Sequence, residues 1–168
     1  MKGLLATRSA PSRSYDIIGL AVFLAICLGV SGIGGAVTAT SVGSWYQALQ
    51  KPSFNPPDWV FAPVWTTLYV MIAIAGWWLW RRVGLRPART AFAVYAVQLA
   101  LNLAWSILFF SFRMIGAALI EVVVLLAAVL VTQLMFWRQD RVAGLLFVPY
   151  AAWVSFAMLL NAALWALN

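Results

Sequence analysis

Five uninterrupted apolar runs, at about 17–37, 60–80, 91–112, 115–137 and 142–167, limit what this chain can become. Each is about as long as the ~20 residues a helix needs to cross a ~30 Å hydrocarbon layer, or longer. Inside lipid every backbone N–H and C=O must be bonded internally, which leaves only helices and closed barrels. None of the runs alternates apolar and polar residues with the period of a barrel strand. The expected fold is therefore an all-α integral membrane protein, a single bundle of five transmembrane helices over 17–168 preceded by an N-terminal extension, 1–16. Composition agrees: at 65% hydrophobic and 9% charged, the 168 residues carry too little polar surface to wrap a water-soluble core of this size.

Lys2, Arg8 and Arg13 precede the first run, and Ala36 to Ala39 reads AVTA, the small residues of a signal-peptidase site. The apolar part of that run exceeds the ~7–15 residues of a signal-peptide core, so it is expected to stay as a span. Five spans put Lys2, Arg8, Arg13, Arg81, Arg82, Arg86, Arg89, Arg138 and Arg141 on one side and only Lys51 and Arg113 on the other. Positive loops stay inside, so the N-terminus is expected in the cytoplasm of a bacterial cell and the 38–59 loop outside. The net charge of +7 is thus an orientation signal and implies no nucleic-acid partner.

Cys27 is the only thiol and lies within the first run, where packing is its expected role; histidine is absent. No internal disulfide, no metal site and no His-based triad is expected. GVSGIGG at 29–35 lies inside a span, where small residues permit close helix packing, so it is no phosphate loop.

The segment from Trp45 to Tyr69, WYQALQKPSFNPPDWVFAPVWTTLY, is too apolar for a solvent loop and too rich in proline for a regular helix at its start. Pro52, Pro56 and Pro57 favour turns, while Trp45, Tyr46, Leu49, Phe54 and Trp59 give it bulk to pack on the bundle. With YAVQLALNLAWSILFF at 95–110 and LLFVPYAAWVSFAMLLN at 145–161, this segment resembles the translocator protein family, the tryptophan-rich sensory or TspO/MBR proteins, over about 17–168.

The resemblance implies a bundle that is often a homodimer, with a pocket near one membrane face closed by the loop between the first two helices. It implies protoporphyrin IX or a related tetrapyrrole as ligand, with no cofactor required. Receptor or sensor function, transport of apolar ligands, and light- and oxygen-dependent porphyrin breakdown are all implied activities. The lid would comprise Trp45, Tyr46, Lys51, Pro52, Phe54, Pro56, Pro57 and Trp59. Phe54 stands where the family commonly has tryptophan, Ala117 where vertebrate members have it, and LLNAALWALN lacks the Tyr and Arg of the vertebrate cholesterol motif. Cholesterol is therefore not expected as a partner.

The residues support a pocket on their own account. Trp65, Asn102, Trp105, Glu121, Trp153 and Asn161 fall at similar depth on four helices, beneath the same loop. Gln98, Asn102 and Trp105 share one face of the third helix, while Ala96, Ala100 and Ala104 form a small-residue stripe suited to a dimer contact. Trp65, Gln98, Asn102, Trp105, Trp153, Ala157, Leu160 and Asn161 make the candidate ligand-binding set. Trp65 and Trp153 are the candidates for any photochemistry. Gln98, Asn102 and Asn161 could equally be hydrogen-bond glue between helices, and the other reading of the tryptophans is bundle packing.

Three further expectations follow. Trp77, Trp78, Trp80, Trp137 and Trp165 are read as interfacial anchors at helix ends. Glu121, an acid inside a span, has Arg113 as its simplest partner. Pro63 and Pro149 are expected to bend the second and fifth helices.

Overall fold

The computed structural model describes residues 13–168, so the N-terminal extension, apart from its last four residues, lies outside it. The elements are α1 (Arg13–Val42), α2 (Trp45–Ala48), α3 (Phe61–Val83) entered through a 3-10 turn at Asp58–Val60, α4 (Arg89–Ser106), α5 (Ile115–Gln139), α6 (Arg141–Leu145) and α7 (Val148–Leu167). A π-helical segment, Ile107–Ser111, prolongs α4. Five helical stretches are long and apolar enough to cross a membrane, and no strand occurs among the described residues. The chain is an all-α multi-pass membrane protein.

Two boundaries depart from expectation. α1 runs on to Val42, so the lid region begins at 43. Thr38 Oγ1 donates to Gly34 O at 2.9 Å and Thr40 Oγ1 to Val37 O at 2.7 Å, so residues that looked polar enough to end the helix stay within it by bonding back to it. The fifth run is split, with a break at Leu146 and Phe147 between α6 and α7. Pro149 sits in the first turn of α7 and Pro63 in the first turn of α3, which the 3-10 turn Asp58–Val60 enters directly. The break in the fifth span thus falls just before Pro149, and the change from 3-10 to α geometry just before Pro63.

The Arg-rich end is locked. A Cβ at Gly19 would collide with the Trp80 ring, one at Gly76 would lie 2.7 Å from Phe23, and one at Gly144 would lie 2.6 Å from Trp137 Cα. Asp16 pairs with Arg81 at 3.2 Å and accepts Trp77 Nε1–H at its backbone oxygen, 3.0 Å away. Asp140 caps α6 by accepting from Val142 N at 2.9 Å and Ala143 N at 3.1 Å. It also accepts from Trp78 Nε1 at 3.1 Å and lies 3.7 Å from Arg82. Trp77, Trp78 and Trp80 are half-buried and tied into the fold at this helix end, whereas Trp137 and Trp165 face outward. Cys27 is fully buried, its Sγ sharing a hydrogen bond with Tyr95 Oη at 3.1 Å.

The 29–35 glycines behave differently from expectation. A Cβ at Gly29, Gly32 or Gly35 would meet nothing within 4 Å, and at Gly34 the nearest atom is Ser106 Oγ at 3.5 Å. Close helix approach occurs at Gly19 and Gly76 instead. Gly29 faces outward, and Ser31, Gly32, Gly34 and Gly35 border an open space.

Candidate functional site

That space is a cavity of about 450 Å³, within the ~300–1,000 Å³ range of small-molecule pockets. One wall is the face of α1 carrying Ser31, Gly32, Gly34, Gly35, Thr38 and Val42. α3 contributes Phe61, Trp65 and Tyr69; α4 and its π segment contribute Asn102, Trp105, Phe109 and Phe110; α7 contributes Trp153, Phe156, Ala157, Leu160 and Asn161. The lid region supplies Tyr46 and Asp58.

The aromatic walls hold each other. Trp65 meets Trp153 edge to face, centroids 6.5 Å apart at 89°, and Phe61 packs on Trp153 at 6.0 Å and 69°. Also on the wall, Trp105 stacks on Phe109 at 5.4 Å, and its Nε1–H donates to Asn161 Oδ1 at 3.2 Å. Asn161 in turn donates from Nδ2 to Ile115 O at 2.9 Å, tying α4, α5 and α7 at one level. The π segment allows Phe109 and Phe110, adjacent in sequence, both to be buried, and Ser41 Oγ donates to Phe110 O at 2.7 Å.

The lid is pinned at several points. Tyr46, 4% exposed, donates from Oη to Asn55 Oδ1 at 2.8 Å, with Lys51 Nζ 4.6 Å above its ring. Burial and then the Asp58 charge push the Tyr46 phenol up to about 12, against an opposing effect of the Asn55 bond. Gln47 Nε2 donates to Asp58, and Gln50 and Asn168 exchange hydrogen bonds of 2.9 and 3.0 Å. Trp45 is half-buried against Phe109 at 5.6 Å. Pro52 and Pro56 are half-buried and Pro57 is exposed. Phe54 touches Phe156 at 6.4 Å but is half exposed, and Trp59, 74% exposed, turns away.

Of the eight candidate ligand-binding residues, the structure brings Trp65, Asn102, Trp105, Trp153, Ala157, Leu160 and Asn161 to the cavity wall. Gln98 is not among the lining residues: it is fully buried deeper in the bundle, accepting from Tyr150 Oη at 3.0 Å. Glu121 does not pair with Arg113. Arg113 sits in a left-handed turn, φ 56°, that carries its guanidinium to 6.0 Å from the Trp45 ring, while both Glu121 oxygens are buried about two turns into α5 without a protein hydrogen bond. Ala96 and Ala100 are exposed and Ala104 is half-buried, leaving the stripe free on the outer surface. Tyr69, Tyr150 and the α1 wall were missed in the sequence. Tyr69 follows Trp65 by four residues and Tyr150 precedes Trp153 by three, spacings that share a helix face.

The sequence matches the TspO/MBR family over residues 21–166. The chain belongs to that family. It is 38% identical over 160 residues to the tryptophan-rich protein TspO of Chlorobaculum tepidum, covering 91% of this chain and 98% of the relative. Identity is 40% over 139 residues to the tryptophan-rich sensory protein of Cereibacter sphaeroides, covering 83% and 84%. The translocator protein of Sus scrofa is 37% identical over 145 residues, covering 83% and 86%. For this TspO/MBR protein, the match spans every wall of the cavity.

Proposed function

We propose that this TspO/MBR protein is a membrane receptor or sensor that takes a flat, largely apolar tetrapyrrole, protoporphyrin IX or a close relative, into the cavity under the lid. The observation that carries this reading is that a perpendicular Trp65–Trp153 pair and a stacked Trp105–Phe109 pair both line the one cavity. Aromatic faces and edges contact a planar conjugated ring over its whole area. Asn102 and Asn161 add hydrogen-bonding groups, and Lys51 at the lid offers a cation for a carboxylate. Haem iron would find only less common ligands: the chain has no histidine, Cys27 is sealed away and is not a wall residue, and the hydroxyls of the wall residues Tyr46 and Tyr69 are already bonded to Asn55 and Asn102. Metal-free protoporphyrin is expected to bind at least as tightly as haem, read by quenching of tryptophan fluorescence in a titration of the purified protein. Trp153→Ala should weaken binding by about tenfold or more through lost ring contact. Haem binding tenfold tighter than the metal-free ring, with a low-spin two-ligand spectrum, would overturn the reading.

The same proposal places the lid outside the cell and the N-terminus in the cytoplasm, following the excess of arginine at the opposite end of the bundle. Ser53 is exposed in the lid, whereas Ser41 is buried within α1. A membrane-impermeant thiol reagent should label Ser53→Cys in intact spheroplasts made with Cys27→Ala. Labelling only after lysis would reverse the orientation.

A further inference from the structure

Four side chains form one hydrogen-bonded chain leading from the cavity wall into the bundle. Tyr69 donates from Oη to Asn102 Oδ1 at 2.7 Å, Asn102 from Nδ2 to Tyr150 Oη at 2.8 Å, and Tyr150 from Oη to Gln98 Oε1 at 3.0 Å. Every donor points the same way. Tyr69 and Asn102 line the cavity, whereas Tyr150 and Gln98 are fully buried. The chain ends on Gln98 Nε2, whose donors find no protein acceptor. In the same interior the two oxygens of Glu121 find no protein donor. Glu121 lies within electrostatic reach of Tyr150, and its helix, α5, packs against both α4 and α7, which carry Gln98 and Tyr150.

We propose that Glu121 is an exchangeable proton site that sets the polarity of this chain, and through it decides whether Tyr69 offers the cavity an oxygen lone pair or an O–H. With Glu121 ionised, the carboxylate draws the Gln98 amide hydrogens toward it through a bridging water, which would satisfy both orphaned groups, and holds all the donors in one direction. Tyr69 then spends its hydrogen on Asn102 and presents an acceptor to the cavity. With Glu121 protonated, its O–H donates to the same water, which turns to donate to Gln98 Oε1; both amides turn over, and each hydroxyl swings round. Asn102 now donates to Tyr69, and the Tyr69 O–H points into the cavity. The proton is exchanged between Glu121 and solvent; no proton passes through the amides, and no covalent bond in the chain breaks. Asn and Gln amides and tyrosine hydroxyls can reverse in this way because each is both donor and acceptor.

The other titratable groups facing this interior are Tyr69 on α3, Tyr95 on α4, Tyr150 on α7 and Cys27 on α1, all neutral in their ordinary range near pH 7. Charged groups on the packed elements sit at the bundle ends. Arg81 and Arg82 of α3 pair with Asp16 and Asp140, Arg89 begins α4, and Arg138 of α5 and Arg141 of α6 lie beside Asp140 in sequence. Arg113, after the π segment, stacks over Trp45. Ligand choice follows by reciprocity: a ligand with a carbonyl or carboxylate at Tyr69 favours protonated Glu121, and one with an N–H or O–H favours the ionised form. This inference needs the cavity but does not depend on a porphyrin being its occupant.

The test uses infrared difference spectra of the protein in bilayers between about pH 5 and about pH 9 without ligand. Glu121 is the only glutamate in the chain, so isotope-labelled glutamate identifies its carboxyl band without any substitution. That band should appear on acidification together with a tyrosine C–O shift of the same midpoint. Glu121→Gln should lose both, and Tyr150→Phe should keep the carboxyl titration but lose the part of the tyrosine shift that belongs to Tyr69. Benzophenone, which only accepts hydrogen bonds, should move the midpoint to higher pH, and diphenylamine, whose N–H donates, to lower pH. A labelled carboxyl that does not titrate in this window, a titration that leaves the tyrosine bands unmoved, or probes that fail to move the midpoint in opposite directions would overturn the proposal.

Discussion

Tyr46→Ala is expected to release the lid. The ring is 4% exposed, packs on Phe109 at 6.3 Å and Phe110 at 6.0 Å, and carries the bond to Asn55 that holds the proline turn against the bundle. Deleting a buried aromatic ring costs about 3–5 kcal/mol in a well-packed site. Here the loss falls on one local unit, so it should appear as local opening. About 3 kcal/mol corresponds to a roughly 100-fold loss of hydrogen-exchange protection at the Gln50 and Asn55 amides, which are bonded to Asn168 and to Pro52 O. Tyr46→Phe keeps the ring and loses one hydrogen bond, about 1 kcal/mol, and so should cost roughly fivefold. The wild type should also loosen in alkali. The folded lid raises the Tyr46 phenol above its ordinary value of 10, so the contribution is fully present below pH 10 and is lost as pH rises through about 12. Tyr46→Phe should lack that alkaline loss. Equal exchange in wild type and Tyr46→Ala would mean the lid is held by other contacts.

A second large effect is expected at the opposite end. In Gly144→Ala the new methyl group would lie 2.6 Å from Trp137 Cα and 2.8 Å from its backbone N, atoms that cannot swing aside as a side-chain tip can. The corner between α5 and α6 must open, straining the Asp140 cap and its contacts with Trp78 and Arg82. A cost of about 1–3 kcal/mol is expected in a reversible denaturation equilibrium. Gly29→Ala is the control. Its methyl group would meet nothing within 4 Å, and alanine favours helix over glycine by about 1 kcal/mol, so it should be neutral or stabilising. Matching effects at the two glycines would refute the argument from close approach.

The contrast between these glycines marks where sequence reasoning stops. Span number and order were legible because length and hydropathy decide them in lipid, but which small residues touch a neighbour depends on where helices converge. GVSGIGG looked like a packing motif and borders a void, while the isolated Gly19, Gly76 and Gly144 take the contacts. The end of α1 was hidden because threonine and serine hydroxyls at 38–41 bond within the bundle instead of marking a loop. Trp65, Trp105, Trp153 and Asn161 could be grouped from depth alone, since each lies within its span beneath the same loop. Tyr69 and Tyr150 could not, because a tyrosine reads as apolar bulk until its hydroxyl is seen bonded. Pairing Glu121 with Arg113 failed for a local reason: a left-handed backbone at Arg113 aims its side chain toward the lid.

The locked Arg-rich end and the spacious lid end together give the bundle the mechanics of a pair of tongs. The tight contacts of Gly19 with Trp80 and of Gly76 with Phe23 fix a fulcrum, and the far half of α1, which bears the cavity wall at Gly32 and Gly35 and is tied to the π segment by the Ser41–Phe110 bond, is one arm. Leverage then separates two kinds of substitution: at the fulcrum a change alters how firmly the bundle holds together, and on the arm it alters how far the jaws spread around a guest.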